Sequence, residues 1–169
     1  CVVDESLNRL KDKFYIPSIH GKEGEIVRLM DKNLQKELAK EFNIPMLQSV
    51  LITSVDGRYD IPEEIKYPCF IKPNVSMKSN KGKMKKCDNK TELKKVLDRY
   101  ARSKDFEMLV EEYASIKAEY SILGLSTKGG VVSPGALKVV EGGHRQRKGV
   151  ALTGEIITSP TLEGVAQHC

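Results

Sequence analysis

Apolar side chains recur at helical spacing in separate stretches of the chain. Leu7, Leu10 and Phe14 mark the first, and Ile16-Pro17 breaks it. Leu34, Leu38 and Phe42 form an i, i+4, i+8 stripe that predicts a helix opening at Asp31. Asp31 is a suitable capping side chain, which sets Lys32 in the first turn, and Asn43-Ile44-Pro45 supplies the stop. A third stretch, from about Thr91 to Arg102, gathers Leu93, Val96, Leu97 and Tyr100 on one face.

Elsewhere the pattern shortens to strand length. Val50-Leu51-Ile52 is followed by a turn at Asp56-Gly57. Phe70 to Lys72 and Lys83 to Cys87 flank a glycine- and lysine-rich loop like the arms of a hairpin. Met108 to Tyr113 reads as a strand, with Glu119 to Leu125 as its partner across a short connection. Lys128-Gly129-Gly130 turns the chain between strands. Val131 to Val140 and Val150 to Thr158 then surround the basic segment His144-Arg145-Gln146-Arg147-Lys148. Ser159-Pro160 predicts a further helix start. Helix, strands, helix, strands is the order of an α+β arrangement.

Composition narrows the class. A chain of 169 residues makes one ordinary domain or two small lobes sharing a cleft. With 40% hydrophobic and 30% charged residues it is compatible with a soluble protein. Nothing approaches the roughly 20 consecutive apolar residues that span a bilayer, so no membrane partner is expected. The net charge of +5, from 28 basic and 23 acidic side chains, permits an anionic ligand without demanding nucleic acid. Cys1, Cys69, Cys87 and Cys169 lack C-x-x-C spacing, which argues against zinc and a disulfide framework. Cys69 and Cys87 fall in strand-like runs and read as buried small hydrophobes. A reducing cytoplasm fits best. The chain opens on Cys1-Val2-Val3 and stops at Cys169 inside a helical pattern, which reads as a piece of a longer polypeptide.

The candidate chemistry starts at Lys72, which ends the run Tyr67-Pro68-Cys69-Phe70-Ile71-Lys72-Pro73. Burying its ammonium is costly unless an anion meets it. The loop that follows, Asn74 to Lys83, offers small residues, free amides and ammonium groups, the combination a triphosphate needs. It is not the P-loop pattern, and it equally suits a solvated basic hairpin. Lys32 opens its helix where the amide dipoles favour an anion, so it is either a surface lysine or the partner of a bound phosphate. Glu111-Glu112-Tyr113 closes an apolar strand whose exit can read an adenine edge, and the Glu119 carboxylate can accept from ribose hydroxyls. The cluster His144, Arg145, Arg147 and Lys148 faces phosphate or forms an exposed turn, and Gly142-Gly143 before it favours the turn. No nucleophile–base constellation stands out, and no catalytic or metal-ligating side chain is assigned.

Taken together, the order of these motifs resembles the ATP-grasp superfamily, from about Val2 to Cys169. The motifs are Asp31-Lys32, Asn43-Ile44-Pro45, the Tyr67 to Pro73 run, the serine/glycine hairpin, Leu109 to Tyr113 and Glu119-Tyr120-Ser121. Met30 to Gln35 and Pro68 to Pro73 look most like carboxylate–amine ligases, with D-aspartate ligase and carbamoyl-phosphate-synthase-like proteins nearest. The resemblance implies a truncated ATP-grasp fold. Residues 1–45 are then a helical remnant of the preceding lobe, 46–112 a lid lobe with a phosphate hairpin, and 113–169 the start of the C-terminal lobe.

It also implies roles. Lys32 and Lys72 contact phosphate, and Ser76, Ser79, Lys81 and Gly82 belong to the covering hairpin. Glu111, Glu112 and Tyr113 form the adenine hinge, and Glu119 binds ribose. Such enzymes use ATP to activate a carboxylate as an acyl phosphate, which an amine or thiol then displaces. The family's magnesium ligands, an acidic residue and a Glu-x-Asn-type pair, are expected outside this chain. A nucleotide-binding portion that does not complete catalysis alone is the expectation. The alternative is a non-catalytic basic module that binds nucleic acid or another polyanion. The 6% aromatic content, not interleaved with the lysines, disfavours nucleic acid. An interaction domain that keeps the fold and has lost nucleotide binding is the third reading.

Overall fold

The computed structural model describes residues 2–14, 16, 21–75, 84–102, 105–127, 129–142, 151–160 and 164. They belong to two compact units, Cys1–Ala114 and Ser115–Cys169.

In the first unit a 3-10 turn, Asp4–Ser6, leads into the short helix α1 (Leu7–Leu10), and α2 (Glu25–Arg28) follows. The buried Asp4 carboxylate accepts from the Val27 amide at 2.9 Å, which ties the chain start to α2. The opening helix is shorter than its apolar spacing predicts. It ends at Leu10, and Phe14 lies exposed beyond it.

Helix α3 (Lys32–Glu41) begins where its sequence signals place it. The Asp31 side chain accepts from the Leu34 amide at 2.9 Å, so one of the orphan donors of the first turn is satisfied. At the other end Asn43 adopts φ 56°, the left-handed conformation that stops a helix. Phe42 at the C-cap is exposed, and Ala39 is the buried residue of this helix.

Strands β1 (Ser49–Ser54), β2 (Cys69–Pro73), β3 (Lys85–Cys87) and β4 (Phe106–Glu112) form an antiparallel sheet in the order β1-β4-β2-β3. A hairpin-type bridge closes the Asp56-Gly57 turn, where Val55 and Arg58 exchange hydrogen bonds and both central residues have positive φ. Helix α4 (Lys90–Ala101) is capped by Asn89, which accepts from the Glu92 amide at 3.0 Å. Its Leu93 and Leu97 are fully buried against Ile52, Cys69, Ile71, Cys87, Met108 and Val110 from one face of the sheet. Burying such a side chain contributes roughly 1.5–3 kcal/mol each, so this layer is what holds the unit together. The period-two alternation leaves Leu51, Phe70, Lys72, Leu109 and Glu111 on the opposite face.

One pairing departs from the expectation. Met108 to Glu112 does not pair with the strand after Glu119, because β4 is central and both of its edges are taken by β1 and β2. Its near-continuous apolar run suits that position, covered on both faces.

The second unit holds β5 (Tyr120–Thr127), β6 (Gly130–Gly142) and β7 (Ala151–Ile157), an antiparallel sheet in that order. The turn at Gly129-Gly130 falls where predicted, with Gly130 at φ +116°. The cluster His144, Arg145, Arg147 and Lys148 lies outside the described residues. The mixed architecture is the α+β class read from the sequence.

Candidate functional site

The sheet face away from α4 carries the charged residues of β2 and β4. Lys72 is in register with Leu109, and Phe70 with Glu111, so Lys72 and Glu111 are diagonal neighbours on one face. The Lys72 Nζ meets Glu111 Oε2 at 2.7 Å, with 22% and 12% of the two side chains exposed. Among the described residues, strand β3 pairs with β2 through Cys69, Phe70 and Ile71.

Lys32 comes to the same place from α3. Its Nζ donates to the Pro73 carbonyl at 2.8 Å and to the Asn74 carbonyl at 3.0 Å. Its main-chain amide donates to the Asn74 carbonyl as well. Burial holds the Lys32 ammonium below its ordinary pKa of 10.5, and the neighbouring Lys72 charge lowers it further. Glu111 and Asp31 oppose that shift. The two lysines, forty positions apart in the chain, thus converge on one end of the sheet.

Lys36 is a third cation that sequence reasoning passed over. One turn beyond Lys32 on the same helix face, it donates to the Leu47 carbonyl at 2.5 Å and to Ser49 Oγ. Its pKa is also lowered, chiefly by burial, with Glu111 acting in the other direction and Lys72 reinforcing the fall. The i, i+4 spacing of the two lysines was the available signal. Glu111 is therefore the shared counter-charge of a cluster of three ammonium groups.

The strand exit next to Glu111 is already anchored. The Glu112 amide donates to the Gln48 carbonyl at 3.0 Å, and the Tyr113 amide to the Pro68 carbonyl at 3.1 Å. Both side chains are exposed, and the Lys86 ammonium lies 5.0 Å from the centre of the Tyr113 ring. A cavity of about 830 Å³ lies alongside, lined by Lys36, Lys40, Ile44, Gln48, Ile65, Glu111 and Glu112 among others. Lys32 and Lys72 do not line it, so the cavity adjoins the lysine pair and does not contain it.

Ser76, Ser79, Lys81 and Gly82 lie outside the described residues. Glu119 belongs to the second unit, where its side chain is exposed and its carbonyl accepts from the Val139 amide at 2.9 Å. The structure thus brings Lys32, Lys72 and Glu111 together, with Glu112 and Tyr113 at the adjoining strand exit. Among the described residues no group of three or more His, Cys, Asp and Glu side chains converges to hold a metal ion. Around Lys32, Lys36 and Lys72 the opposing carboxylates are Glu111 and, for Lys32, also Asp31.

The model of the ATP-grasp domain matches residues 37–153, more than half of the chain. The chain belongs to the ATP-grasp family. That match starts after Lys32 and includes Lys72 and Glu111 to Glu119. Over 103 residues the chain is 28% identical to the N-terminal section of the carbamoyl phosphate synthase large chain of Methanopyrus kandleri, covering 58% of this chain and 18% of that protein. Among solved structures it resembles the N5-carboxyaminoimidazole synthase of Aspergillus clavatus in complex with ADP and 5-aminoimidazole ribonucleotide. The TM-score is 0.57 at 19% identity, over 83% of this chain and 35% of that one. The carboxyaminoimidazole ribonucleotide synthase of Aspergillus clavatus complexed with ATP gives 0.58 at 18% identity, over 82% and 35%. The D-alanine–D-alanine ligase of Helicobacter pylori gives 0.57 at 17% identity, over 96% and 49%. At these identities the likeness is one of fold. The chain spans less than half the length of each of these proteins. Among the described residues no helix is long and apolar enough to cross a membrane.

Proposed function

We propose that this chain forms the nucleotide-holding part of an ATP-dependent carboxylate–amine, or carboxylate–thiol, ligase. In such a ligase ATP activates a carboxylate as an acyl phosphate. The observation that carries the reading is the convergence of Lys32 and Lys72 beside Glu111. Two ammonium groups held within each other's field, one of them with a lowered pKa, form a site that gains from the arrival of a polyanion. Lys32 turns from the Pro73 and Asn74 carbonyls to phosphate oxygens, and Lys72 shares its charge between Glu111 and the anion. Their part is to neutralise and align the phosphates.

In this reading Glu111, Glu112 and Tyr113 border the adenine. The amides of Glu112 and Tyr113 are engaged within the lobe, so the side chains and carbonyls of the exit are the groups left for the base. Ser76, Ser79, Lys81 and Gly82 cover the phosphates, and Glu119 meets the ribose. The acid and amine substrates, and the carboxylates that hold magnesium, are assigned to the rest of a ligase of the relatives' length, so the chain alone holds nucleotide without turning it over. We assign the protein to the cytoplasm, where the opposed thiols of Cys69 and Cys87 stay reduced.

Calorimetric titration of the chain and of Lys72→Ala with Mg·ATP tests this. Binding that weakens at least about tenfold in the variant supports the site. A wild-type chain that takes up no ATP yet binds oligonucleotides with steep salt dependence overturns it in favour of the polyanion module.

A further inference from the structure

Between Lys72 and Lys32 stands a residue to which no role has been given. Asn74 is two positions after Lys72 and 1% exposed, and every polar group it owns is engaged. Its amide donates to the Glu107 carbonyl at 3.0 Å, and its carbonyl accepts from the Lys32 amide and from Lys32 Nζ. In the side chain, Oδ1 accepts from the Asn33 amide at 3.0 Å. Nδ2 donates to Asp31 Oδ2 at 3.0 Å and to Glu107 Oε2 at 3.2 Å. Asp31 is itself the cap of α3, and it pairs with Val75 in an isolated antiparallel bridge.

We infer that Asn74 is the positioning residue of the anion site: its carboxamide fastens the first turn of α3 to the ends of β2 and β4, and so sets how Lys32 meets Lys72. The inference rests on the reading that these two lysines hold the phosphates. The described hydrogen bonds of Lys32 to the end of β2, with those that join Asp31 and Asn33 to it, go to Pro73 and Asn74, and the Asp31 bridge goes to Val75, the three residues directly after Lys72. The link between the ammonium groups is therefore a short rigid one and does not pass through the core of the lobe. Only an asparagine fits the place. A carboxylate offers no proton to Asp31 and Glu107, a serine reaches one partner at most, and a glutamine is one methylene too long. Removing the carboxamide takes these partners from the Asn33 amide and from the half-buried Asp31 Oδ2, while the exposed Glu107 can turn to water, so the cost falls at the start of α3.

The test uses the full chain, Asn74→Ala, and the exchange Asp31→Asn/Asn74→Asp/Glu107→Gln. The exchange reverses the donors and acceptors around the clamp and keeps a good helix cap. Mg·ATP affinity is measured by calorimetry. The titration of Lys32 Nζ is followed by NMR with no ligand present, which a merely stabilising residue would not move. Asn74→Ala is expected to bind Mg·ATP about tenfold more weakly. Its Lys32 is expected to titrate closer to 10.5, since a freed start of α3 loses burial first and the nearness of Lys72 second. The exchange is expected to recover affinity to within about threefold. A folded Asn74→Ala whose Lys32 titrates as in the wild type overturns the clamp, whatever its affinity. If the wild-type chain takes up no ATP, the nucleotide reading fails, and the ligand-free titration alone decides the clamp. If Asn74→Ala does not fold, the exchange decides by affinity: binding within about threefold of the wild type supports the clamp, and a folded exchange that binds more weakly than that overturns it.

Discussion

Replacing Glu111 by glutamine removes one charge and little else. The carboxylate lies 2.7 Å from Lys72 Nζ, and it also raises the pKa of both Lys32 and Lys36. Breaking a fully buried ion pair costs about 3–5 kcal/mol, and a charge-assisted hydrogen bond is worth about 1.5–3 kcal/mol. With 22% and 12% of the side chains open to water, this pair belongs at the lower end, at about 2 kcal/mol. Glu111→Gln should therefore lower the midpoint of thermal unfolding by roughly 5–10 °C at neutral pH and low salt.

Salt gives the sign of the mechanism. Without Glu111 three ammonium groups repel one another, so molar salt should recover part of the loss. Chemical and thermal denaturation at about 0.02 M and about 1 M salt measure it, with exposed Glu112→Gln as the control, expected within about 0.5 kcal/mol of the wild type. A Glu111→Gln protein as stable as the wild type at low salt would show that Glu111 does not neutralise the cluster, and the electrostatic argument for the site would fall with it.

Other predictions follow from the same structure. A bound phosphate raises the lowered Lys32 pKa, so Mg·ATP affinity should begin to fall below pH 10.5, earlier than for an ordinary lysine, and binding in that range should take up protons. Titrations near pH 9 in two buffers of different ionisation enthalpy read that uptake directly, and proton release would reverse the assignment. Leu97→Ala should destabilise the first unit by about 3 kcal/mol, because a fully buried side chain is lost from the layer between α4 and the sheet. A loss under about 1 kcal/mol in denaturant unfolding would mean that this layer is not the core of the unit.

What the sequence told in advance was mostly local. Asp31 as a cap, Asn43-Ile44-Pro45 as a stop and the Leu93/Leu97 face each depend on residues a few positions apart, and each stands in the structure. The partner of β4 was misjudged because nearness along the chain pointed to the next strand. The run of apolar residues from Met108 to Val110 marks burial on both faces, but which strands take its two edges is settled only by the fold. Phe14 and Phe42 carry helical spacing yet end exposed, since spacing specifies a face and not a surface to cover it. The meeting of Lys32 and Lys72 was legible only through the order of motifs. Asn74 gave no signal at all, because its importance lies in partners at Asp31, Asn33 and Glu107 that only the fold brings to it.

The account depends on a single electrostatic arrangement at the end of β2. The most direct measurement follows the Nζ resonances of Lys32 and Lys72, assigned with single-lysine variants, as Mg·ATP is added to the labelled chain. The account predicts that both shift together along one saturation curve, and that Lys72→Ala abolishes the response of Lys32 in the same concentration range. A nucleotide that moves one ammonium and leaves the other unchanged, or moves neither, contradicts it.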